Sequence, residues 1–157
     1  MKVVIQKVTS ASVSVGEEVI SSIGRGLCVL VGISKEDTEK EIDYLVRKVL
    51  NIRLFGDDER KWASNVVDQG LEVLCLSQIT LYTSLKGNKM DFHNAMSPSH
   101  SQPLYQQFLD KMRQQYLPDK VKEGRFGATC VVSINNDGPV TVILDSPQSK
   151  KQPIGDD

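Results

Sequence analysis

The stretch Leu27-Cys28-Val29-Leu30-Val31-Gly32-Ile33 is an unbroken apolar run. A short run of this kind, with no alternation between polar and apolar residues, is typical of a central strand whose two faces are both covered. Because each covered face needs a further layer packed on it, the run predicts a layered domain with this strand inside its sheet. The sequence on either side has to supply the remaining strands and the covering layers.

Shorter strands are predicted on the amino-terminal side of this run. Apolar residues recur there at every second position, as in a half-buried strand: Val3, Ile5, Ala11, Val13 and Val15. The alternation loses its phase between Lys7 and Thr9, which predicts a bulge or bend. Gly16-Glu17-Glu18 and Gly24-Arg25-Gly26 predict turns on either side of a short strand through Val19 and Ile20.

Two amphipathic helices are predicted on the carboxyl-terminal side. The first has Asp37 as its N-cap and Glu39 and Glu41 in its first turn. Its apolar residues follow the spacing of one helical face: Ile42, Leu45, Val46, Val49 and Leu50. The second is predicted over 104–116 and ends before Pro118.

The remaining segments complete a mixed α/β pattern. Residues 71–81 predict a strand, and residues 86–96 predict a long, ordered loop. Residues 129–134 and 140–144 predict two final strands joined by a turn at Asn135-Asn136-Asp137-Gly138-Pro139. The whole order predicts one mixed-sheet α/β domain over residues 1–147, barrel-like or with stacked sheets, with two main helices outside. The polar segment 148–157 is predicted to be a flexible tail.

Composition limits the classes of function. The chain has 157 residues, a hydrophobic share of 39% and a formal net charge of -1. This charge gives no global attraction to nucleic acid, so a nucleic-acid ligand needs a local basic patch or a grip on one end only. Cys28, Cys75 and Cys130 are odd in number and far apart, which predicts small buried apolar residues in a reducing compartment. With no signal peptide and no apolar stretch long enough to cross a bilayer, the expected location is cytoplasmic, without membrane association.

Conventional catalytic and cofactor motifs are missing from the sequence. Neither GxxxxGK[ST] nor GxGxxG occurs, and the two histidines, His93 and His100, form no HExxH motif. We therefore expect no cofactor and no metal. Composition alone leaves a serine-histidine-acid site open, but there is no GxSxG elbow. His93 is interpreted first as a loop residue bonded to the backbone.

Two segments combine residues that a purely structural strand or turn does not need. Ser77-Gln78-Ile79-Thr80-Leu81 places three polar side chains in an otherwise apolar strand. Each buried hydroxyl or amide costs about 1–3 kcal/mol unless it is hydrogen-bonded, so the group needs internal partners or a ligand. In Asn136-Asp137-Gly138-Pro139-Val140-Thr141, a Gly-Pro pair leads into a strand. Taken singly, both segments are also explained by ordinary strand and turn chemistry.

Several motifs, taken together and in this order, resemble the D-aminoacyl-tRNA deacylase (D-tyrosyl-tRNA(Tyr) deacylase) family over roughly residues 1–146. They are Ser77-Gln78-Ile79-Thr80, Lys86-Gly87-Asn88-Lys89 with Asp91-Phe92-His93, Phe126-Gly127-Ala128, and Asn136-Asp137-Gly138-Pro139-Val140-Thr141. The segments Lys2-Val3-Val4-Ile5-Gln6 and Gly24-Arg25-Gly26-Leu27 also fit. Each motif is common by itself, whereas their joint order and spacing are specific.

The resemblance implies a homodimer that hydrolyses the ester of D-aminoacyl-tRNA, and of glycyl-tRNA charged on a non-cognate tRNA. It places the 3′ end of the tRNA against a catalytic segment of Ser77, Gln78, Ile79 and Thr80. In this scheme the ribose 2′-hydroxyl assists water, main-chain N–H groups at Ile79 and Thr80 hold the oxyanion, and Thr80 as nucleophile is the second choice. The substrate-binding residues are Gly138 and Pro139 from the second copy, together with Phe126, Lys86 and Lys7. The sequence does not reveal whether the Gly138-Pro139 bond is cis.

Four residues depart from the family pattern. Lys7 stands where arginine is usual, Ile79 replaces phenylalanine, Met90 replaces proline, and Cys130 replaces methionine. Lysine lacks the planar fork of arginine, so the support of the Gly-Pro carbonyls is expected to be looser. The departures leave open a relaxed editor that removes L-alanine from mischarged tRNA. A non-catalytic nucleic-acid-binding dimer and a metabolic esterase also stay open as hypotheses.

Overall fold

The computed structural model describes residues 1–147, and the predicted tail at 148–157 lies outside the described residues. The strands are β1 (Lys2–Val15), β2 (Glu18–Ile23), β3 (Gly26–Gly32), β4 (Glu72–Ser77), β5 (Ser84–Lys86), β6 (Lys89–Asp91), β7 (Val121–Glu123) and β8 (Val131–Asp145). The helices are α1 (Glu39–Asn51) and α2 (Pro98–Gln115), and the short 3₁₀ turns are Ile79–Tyr82 and Pro118–Lys120. Neither α-helix of this described part is long and apolar enough to cross a membrane.

The main sheet is mixed and almost closed on itself. Its strand order is β2-β1-β3-β4-β7, and β8 pairs with β1. β1 is antiparallel to β2, β3 and β8, whereas β4 is parallel to β3 and β7. The Ser21 hydroxyl donates to the Glu123 carbonyl at 2.6 Å, so β2 and β7 at the two ends of this order lie side by side. The prediction of a single mixed α/β domain with two helices is confirmed, in its barrel-like form.

The central strand is covered on both faces, as its apolar run predicts. Leu27 and Val29 of β3 belong to a core that also contains the buried faces of α1 and α2. Cys28, between them, points to a second core inside the barrel with Val8 and Leu74. The predicted apolar face of α1 is buried in the first core. This two-sided packing, worth about 25 cal/mol per Å² of apolar surface, holds the helices on the sheet.

The predicted burial of the cysteines is confirmed at two of three positions. Cys28 and Cys75 are buried, and burial raises the pKa of the Cys28 thiol to about 11. Cys130 is exposed and not buried as predicted, because it lies just before β8, whose alternate side chains face outward.

The first helix begins one residue later than predicted. Thr38, not Asp37, is the N-cap: its hydroxyl accepts from the Lys40 N–H, and the Glu41 carboxylate accepts from the Thr38 N–H at 2.7 Å. Asp37 is engaged elsewhere, since its carboxylate accepts from the Met1 ammonium and from the Ser34 N–H. The threonine therefore completes a capping box.

Three further boundaries differ from the sequence prediction. β4 ends at Ser77 instead of continuing to residue 81, because the chain turns into the 3₁₀ segment at Ile79. The predicted loop at 86–96 contains the end of β5 and all of β6, two strands joined at Gly87-Asn88. α2 starts at Pro98 and not near residue 104, since proline is well suited to the first turn of a helix.

The last strand is continuous, so the predicted turn at 135–139 is wrong. Gln6 pairs with Thr141 and Val8 pairs with Asn136, which leaves residues 137–140 opposite Lys7 alone. Residues 137–140 therefore form an irregular bulge in β8. A proline is tolerated there because it is outside the hydrogen-bonded ladder. Register shifts between Gln6 and Val8, and between Val8 and Ser10, confirm the irregularity predicted in β1.

We predict that Thr38→Ala lowers the free energy of unfolding by about 1 kcal/mol, because it removes the hydroxyl of the N-cap. Urea denaturation at pH 7 measures the loss. Thr38→Ser keeps the hydroxyl and is expected to stay close to the original stability.

The loss should also depend on pH. Burial raises the pKa of Glu41, but hydrogen bonds from the Thr38 hydroxyl and N–H lower it more, so the pKa lies below its ordinary value. A lowered pKa in the folded state adds stability above the unfolded pKa of about 4.3, and this contribution disappears as pH falls through the folded pKa. The difference between Thr38→Ala and the original chain should narrow in acid. A difference that stays constant from about pH 7 down to about pH 3.5 contradicts the capping box.

Candidate active site

A cavity of about 270 Å³ opens where the parallel strands β3 and β4 end. Its lining residues come from four places: the ends of β3 and β4, the start of α2, and the loop after β7. They are Val31, Ile33, Ser77, Gln78, Ile79, Met96, Pro98, Ser101, Phe126, Gly127 and Ala128. The carboxyl ends of parallel strands are a common place for a ligand, because loops diverge there and leave a crevice.

The turn after β4 leaves main-chain N–H groups without an acceptor in the turn, next to the cavity. The Gln78 N–H donates to the Val31 carbonyl at 2.8 Å, and the Gln78 carbonyl accepts from the Leu81 N–H at 3.4 Å. Ile79 and Thr80 are the first two residues of the 3₁₀ turn, and the first N–H groups of a helical turn have no acceptor within it. Two adjacent free N–H groups are the kind of donor that stabilises an oxyanion.

Gly32 makes this close packing of the turn possible. A Cβ placed on Gly32 would lie 2.6 Å from the Leu81 Cβ and 3.2 Å from the Gln78 carbonyl oxygen. Any larger residue at this position would push the 3₁₀ turn away from β3. The predicted catalytic segment is thus positioned by a missing side chain on the neighbouring strand.

Tyr105 of α2 holds two walls of the cavity together. Its buried hydroxyl donates to the Cys75 carbonyl at 3.0 Å, and the Gly124 N–H donates to the same oxygen. Its ring lies 5.6 Å from the Phe126 ring, centroid to centroid. Burial raises the pKa of Tyr105, so the hydroxyl stays protonated and remains a donor.

The structure separates the predicted site residues of one chain into two places. Ser77, Gln78, Ile79 and Phe126 line the first cavity, and Thr80 is exposed beside it. Gly138, Pro139 and Lys7 instead line a second cavity of about 570 Å³. Lys86 lines neither of these cavities.

The Gly-Pro segment has an unusual backbone held beside Lys7. The Gly138-Pro139 peptide bond is cis, and Gly138 has φ +135, a conformation that side-chain-bearing residues rarely adopt. The Lys7 ammonium lies 3.9 Å from the Asp137 carboxylate, next to Gly138. Lys7 therefore contacts the residue that precedes the predicted Gly-Pro pair.

Lys86 and His93 meet at Asp91 in the β5–β6 hairpin. The Lys86 ammonium lies 2.8 Å from the Asp91 carboxylate, which also contacts the His93 ring and accepts from the His93 N–H. Hydrogen bonds from Lys86, and then from His93, hold the pKa of Asp91 well below its usual range. The His93 ring is thus bonded to a carboxylate and not to the backbone. No group of three His, Cys, Asp or Glu side chains within residues 1–147 is placed to hold a metal ion.

Sequence reasoning misses the wall formed by the start of α2. Met96, Pro98 and Ser101 line the first cavity, but the sequence pattern places them in a loop or ahead of the predicted helix. Ser97-Pro98 is a good helix start, with serine at the N-cap and proline at the first helical position. That signal would have extended the helix toward the site.

Comparisons with known proteins identify the family of this chain. A family model described as D-Tyr-tRNA(Tyr) deacylase matches residues 4–145. The chain belongs to this deacylase family. It is 56% identical over 154 residues to D-aminoacyl-tRNA deacylase 1 of Danio rerio, covering 98% of this chain and 74% of the relative. The family resemblance seen in the sequence is confirmed.

Two more similar proteins are informative. The D-aminoacyl-tRNA deacylase of Drosophila melanogaster is 54% identical over 150 residues, covering 96% of this chain and 95% of the relative. The solved structure of the c-Myc DNA unwinding element binding protein is 54% identical, with a TM-score of 0.90, and covers 94% of this chain and 100% of that chain. The chain thus resembles deacylases in sequence, and it resembles a protein named for DNA binding in both sequence and fold.

We predict that Tyr105→Phe loosens the first cavity as well as the fold. The change removes one hydrogen bond to a buried carbonyl, so the free energy of unfolding should fall by about 1 kcal/mol. Amide hydrogen exchange of residues 126–128 should become faster.

Tyr116→Phe is the matched control. The Tyr116 hydroxyl also links α2 to the segment of β4, donating to the Leu71 carbonyl at 2.8 Å, but at the end away from the cavity. It should lose similar stability and leave exchange at 126–128 unchanged. Equal exchange in both variants would show that Tyr105 has no special role at the cavity.

Proposed function

We propose that this chain hydrolyses the ester bond of D-aminoacyl-tRNA in the cytoplasm, with residues 1–147 as the deacylase domain and a homodimer as the active form. Membership of the deacylase family carries the assignment. The activity removes D-amino acids from tRNA and so proofreads chirality in translation. The same site accepts glycyl-tRNA charged on a non-cognate tRNA, because glycine has no side chain to reject.

The first cavity receives the 3′-terminal adenosine and its ester. Apolar walls and the Phe126 ring suit a nucleobase, and the polar side chains of Ser77 and Gln78 lie at the same opening. The ester carbonyl then lies beside the Ile79 and Thr80 N–H groups. These donors stabilise the negative charge that develops on the carbonyl oxygen when water attacks.

The chemical step uses the substrate's own ribose. The vicinal 2′-hydroxyl assists the attacking water, the ester C–O bond breaks, and the 3′-hydroxyl of the ribose leaves with a proton, giving free amino acid and tRNA. Within residues 1–147, the Thr80 hydroxyl makes no hydrogen bond to a basic side chain, so no base activates it as a nucleophile. Positioning of a labile ester supplies much of the acceleration.

A second copy completes the site through β8. Among the described strands β8 pairs only with β1, and Val131 and Ile143 on it are 68% and 61% exposed. A long strand with an open edge and exposed apolar residues is a surface that proteins cover. A two-fold partner covering it brings the Gly138-Pro139 bulge to the interface, near the partner's first cavity.

The bulge supplies the chiral filter. The Gly138 and Pro139 carbonyls of the second copy accept hydrogen bonds from the α-ammonium of the substrate. With the ammonium and the ester both fixed, a D side chain points to solvent, whereas an L side chain meets main chain. Rejection by rigid backbone discriminates more strongly than a pocket that grades side chains by size. Lys7 and its contact with Asp137 support the bulge.

Parallel incubation with D-tyrosyl-tRNA and L-tyrosyl-tRNA tests the assignment. Loss of the D ester alone supports it. Equal loss of both indicates the relaxed editor, and loss of neither with intact RNA binding indicates a nucleic-acid-binding dimer. Hydrolysis of small esters that lack RNA indicates a metabolic esterase.

We predict that Thr80→Ala keeps kcat within about tenfold of the original value, since the Thr80 N–H is unchanged and only the hydroxyl is lost. Loss of a true nucleophile costs about 10⁶-fold in a serine protease, so single-turnover deacylation separates the two mechanisms. The original chain and Thr80→Ala should both fail to hydrolyse a 2′-deoxy substrate, because it lacks the hydroxyl that assists the attacking water. If Thr80→Ala loses nearly all turnover of the normal substrate while the original chain keeps it, Thr80 acts as a covalent nucleophile.

We predict that two inactive variants regain activity when they are mixed. Ala128→Trp fills the first cavity, and Gly138→Ala disturbs the bulge, because a Cβ there would lie 2.8 Å from the Val140 nitrogen. In an equimolar mixture of freely exchanging two-fold dimers, about one quarter of the sites combine an intact cavity with an intact bulge. Activity should rise toward about a quarter of the original on mixing.

Circular dichroism and gel filtration of each variant check that both fold and dimerise. If both variants fold and exchange subunits but their mixture stays inactive, then the cavity and the bulge of each site belong to the same chain.

A further inference from the structure

The second cavity has features that the deacylation chemistry does not use. It lies between the β8 bulge and the 56–62 loop, and its volume is about 570 Å³. Trp62 lines it and is 58% exposed. Trp62 is also the single tryptophan of the chain. An exposed tryptophan on a cavity wall is an uncommon arrangement, because so large an apolar ring is usually covered.

Two cations that line this cavity contact a buried aromatic ring behind it. The buried Phe55 ring lies 5.3 Å from the Lys7 ammonium and 5.6 Å from the Arg25 guanidinium. Contacts of this kind fix the position of a long cationic side chain. Lys61 adds a third cation beside Trp62.

The loop that carries Trp62 is ordered by its own hydrogen bonds. Phe55 and Ser64 exchange two main-chain hydrogen bonds, at 3.0 Å and 2.9 Å. The Asp57 carboxylate accepts from the N–H groups of Glu59 and Arg60. Trp62 is therefore presented on a closed loop, and little ordering is needed when it binds a ligand.

The charges of the cavity leave two cations available. Asp57 is occupied by the loop, and Asp137 lies beside Lys7. Within residues 1–147, Arg25 and Lys61 form no ion pair with a carboxylate. Asp58 also lines the cavity and weakens anion binding there. With two available cations and a nearby carboxylate, the cavity can make one or two phosphate contacts, which is too few to bind a long duplex.

We propose that this cavity binds the single-stranded nucleotides that precede the terminal adenosine of the tRNA, with one base stacked on Trp62 and phosphates contacting Arg25 and Lys61. Aromatic stacking combined with cations along a groove is the chemistry by which proteins hold single strands. The cavity also contains Gly138 and Pro139, so a strand bound here leads directly to the segment that holds the aminoacyl group. This inference rests on the proposed function, and it assigns a position to the nucleotides that precede the terminal adenosine.

The fluorescence of Trp62 reports binding directly. An unacylated RNA oligonucleotide ending in CCA should change the emission saturably. By anisotropy of the labelled oligonucleotide, Trp62→Ala should weaken binding about tenfold, whereas Trp62→Phe should retain most of it. The logarithm of the association constant should fall with the logarithm of salt with a slope of about -1.4 for two phosphates, and of about -0.7 in Lys61→Ala.

Lys40→Ala is the matched control, because Lys40 is an exposed lysine on α1 that does not line this cavity. It should leave affinity and salt slope unchanged. Oligonucleotide binding without a change in emission, or equal affinity in Trp62→Ala, would overturn the proposal. So would an emission that shifts with protein concentration in the absence of RNA, since a second copy would then cover Trp62.

Deacylation separates failure of this inference from failure of the proposed function. If D-tyrosyl-tRNA is not hydrolysed but the oligonucleotide titration saturates, the binding cavity stands and the deacylase assignment falls. If Trp62→Ala hydrolyses D-tyrosyl-tRNA with unchanged kcat and KM, the cavity falls and the assignment stands. A raised KM with unchanged kcat supports both.

Discussion

The antiparallel pairing of β8 with β1 on both sides of residues 137–140 is the constraint on which the rest depends. With the ladder intact above and below, those residues have no freedom to drift, and they leave the sheet as a fixed bulge opposite Lys7. A flexible loop would move aside when a substrate side chain meets it, whereas a main chain held at both ends keeps its position and excludes that side chain. The proposed chiral filter is thus a consequence of strand pairing more than of any side chain.

The catalytic half of the site depends on a different part of the same sheet. Parallel strands β3 and β4 end together, and α2 crosses above them with Tyr105 bonded to the Cys75 carbonyl. The chain then has to turn at Ser77, and the turn frees main-chain N–H groups. Because these donors belong to the backbone, substitutions such as Ile79 for the usual phenylalanine leave them in place. In the proposed mechanism, antiparallel and parallel parts of one sheet therefore supply the filter and the oxyanion donors separately.

Local patterns in the sequence are enough to predict the fold class. The unbroken run at 27–33 and the helical face at 42–50 lie where burial alone decides the structure, so both predictions hold. The bulge in β8 reads as a turn because Asn-Asp-Gly-Pro has turn chemistry in isolation, and only pairing with β1, more than a hundred residues away, makes it part of a strand. The candidate site residues can be predicted from family resemblance, but their separation into two cavities depends on the tertiary structure. Trp62 carries no motif, and only the structure shows that it lies in one cavity with Arg25, Lys61 and the bulge.

The near-zero net charge fits an enzyme that has to release its product. A protein with a strongly basic face would bind the body of every tRNA, charged or not, and its high affinity would slow turnover. Here 19 lysines and arginines are balanced by 20 aspartates and glutamates. Two of the cations predicted at the site are paired close by, Lys7 with Asp137 and Lys86 with Asp91. In the proposed mechanism, recognition then depends on shape at the 3′ end, where the D-amino acid itself differs. Weak, local contact with the RNA would leave the choice between substrates to the rigid backbone that meets the amino acid.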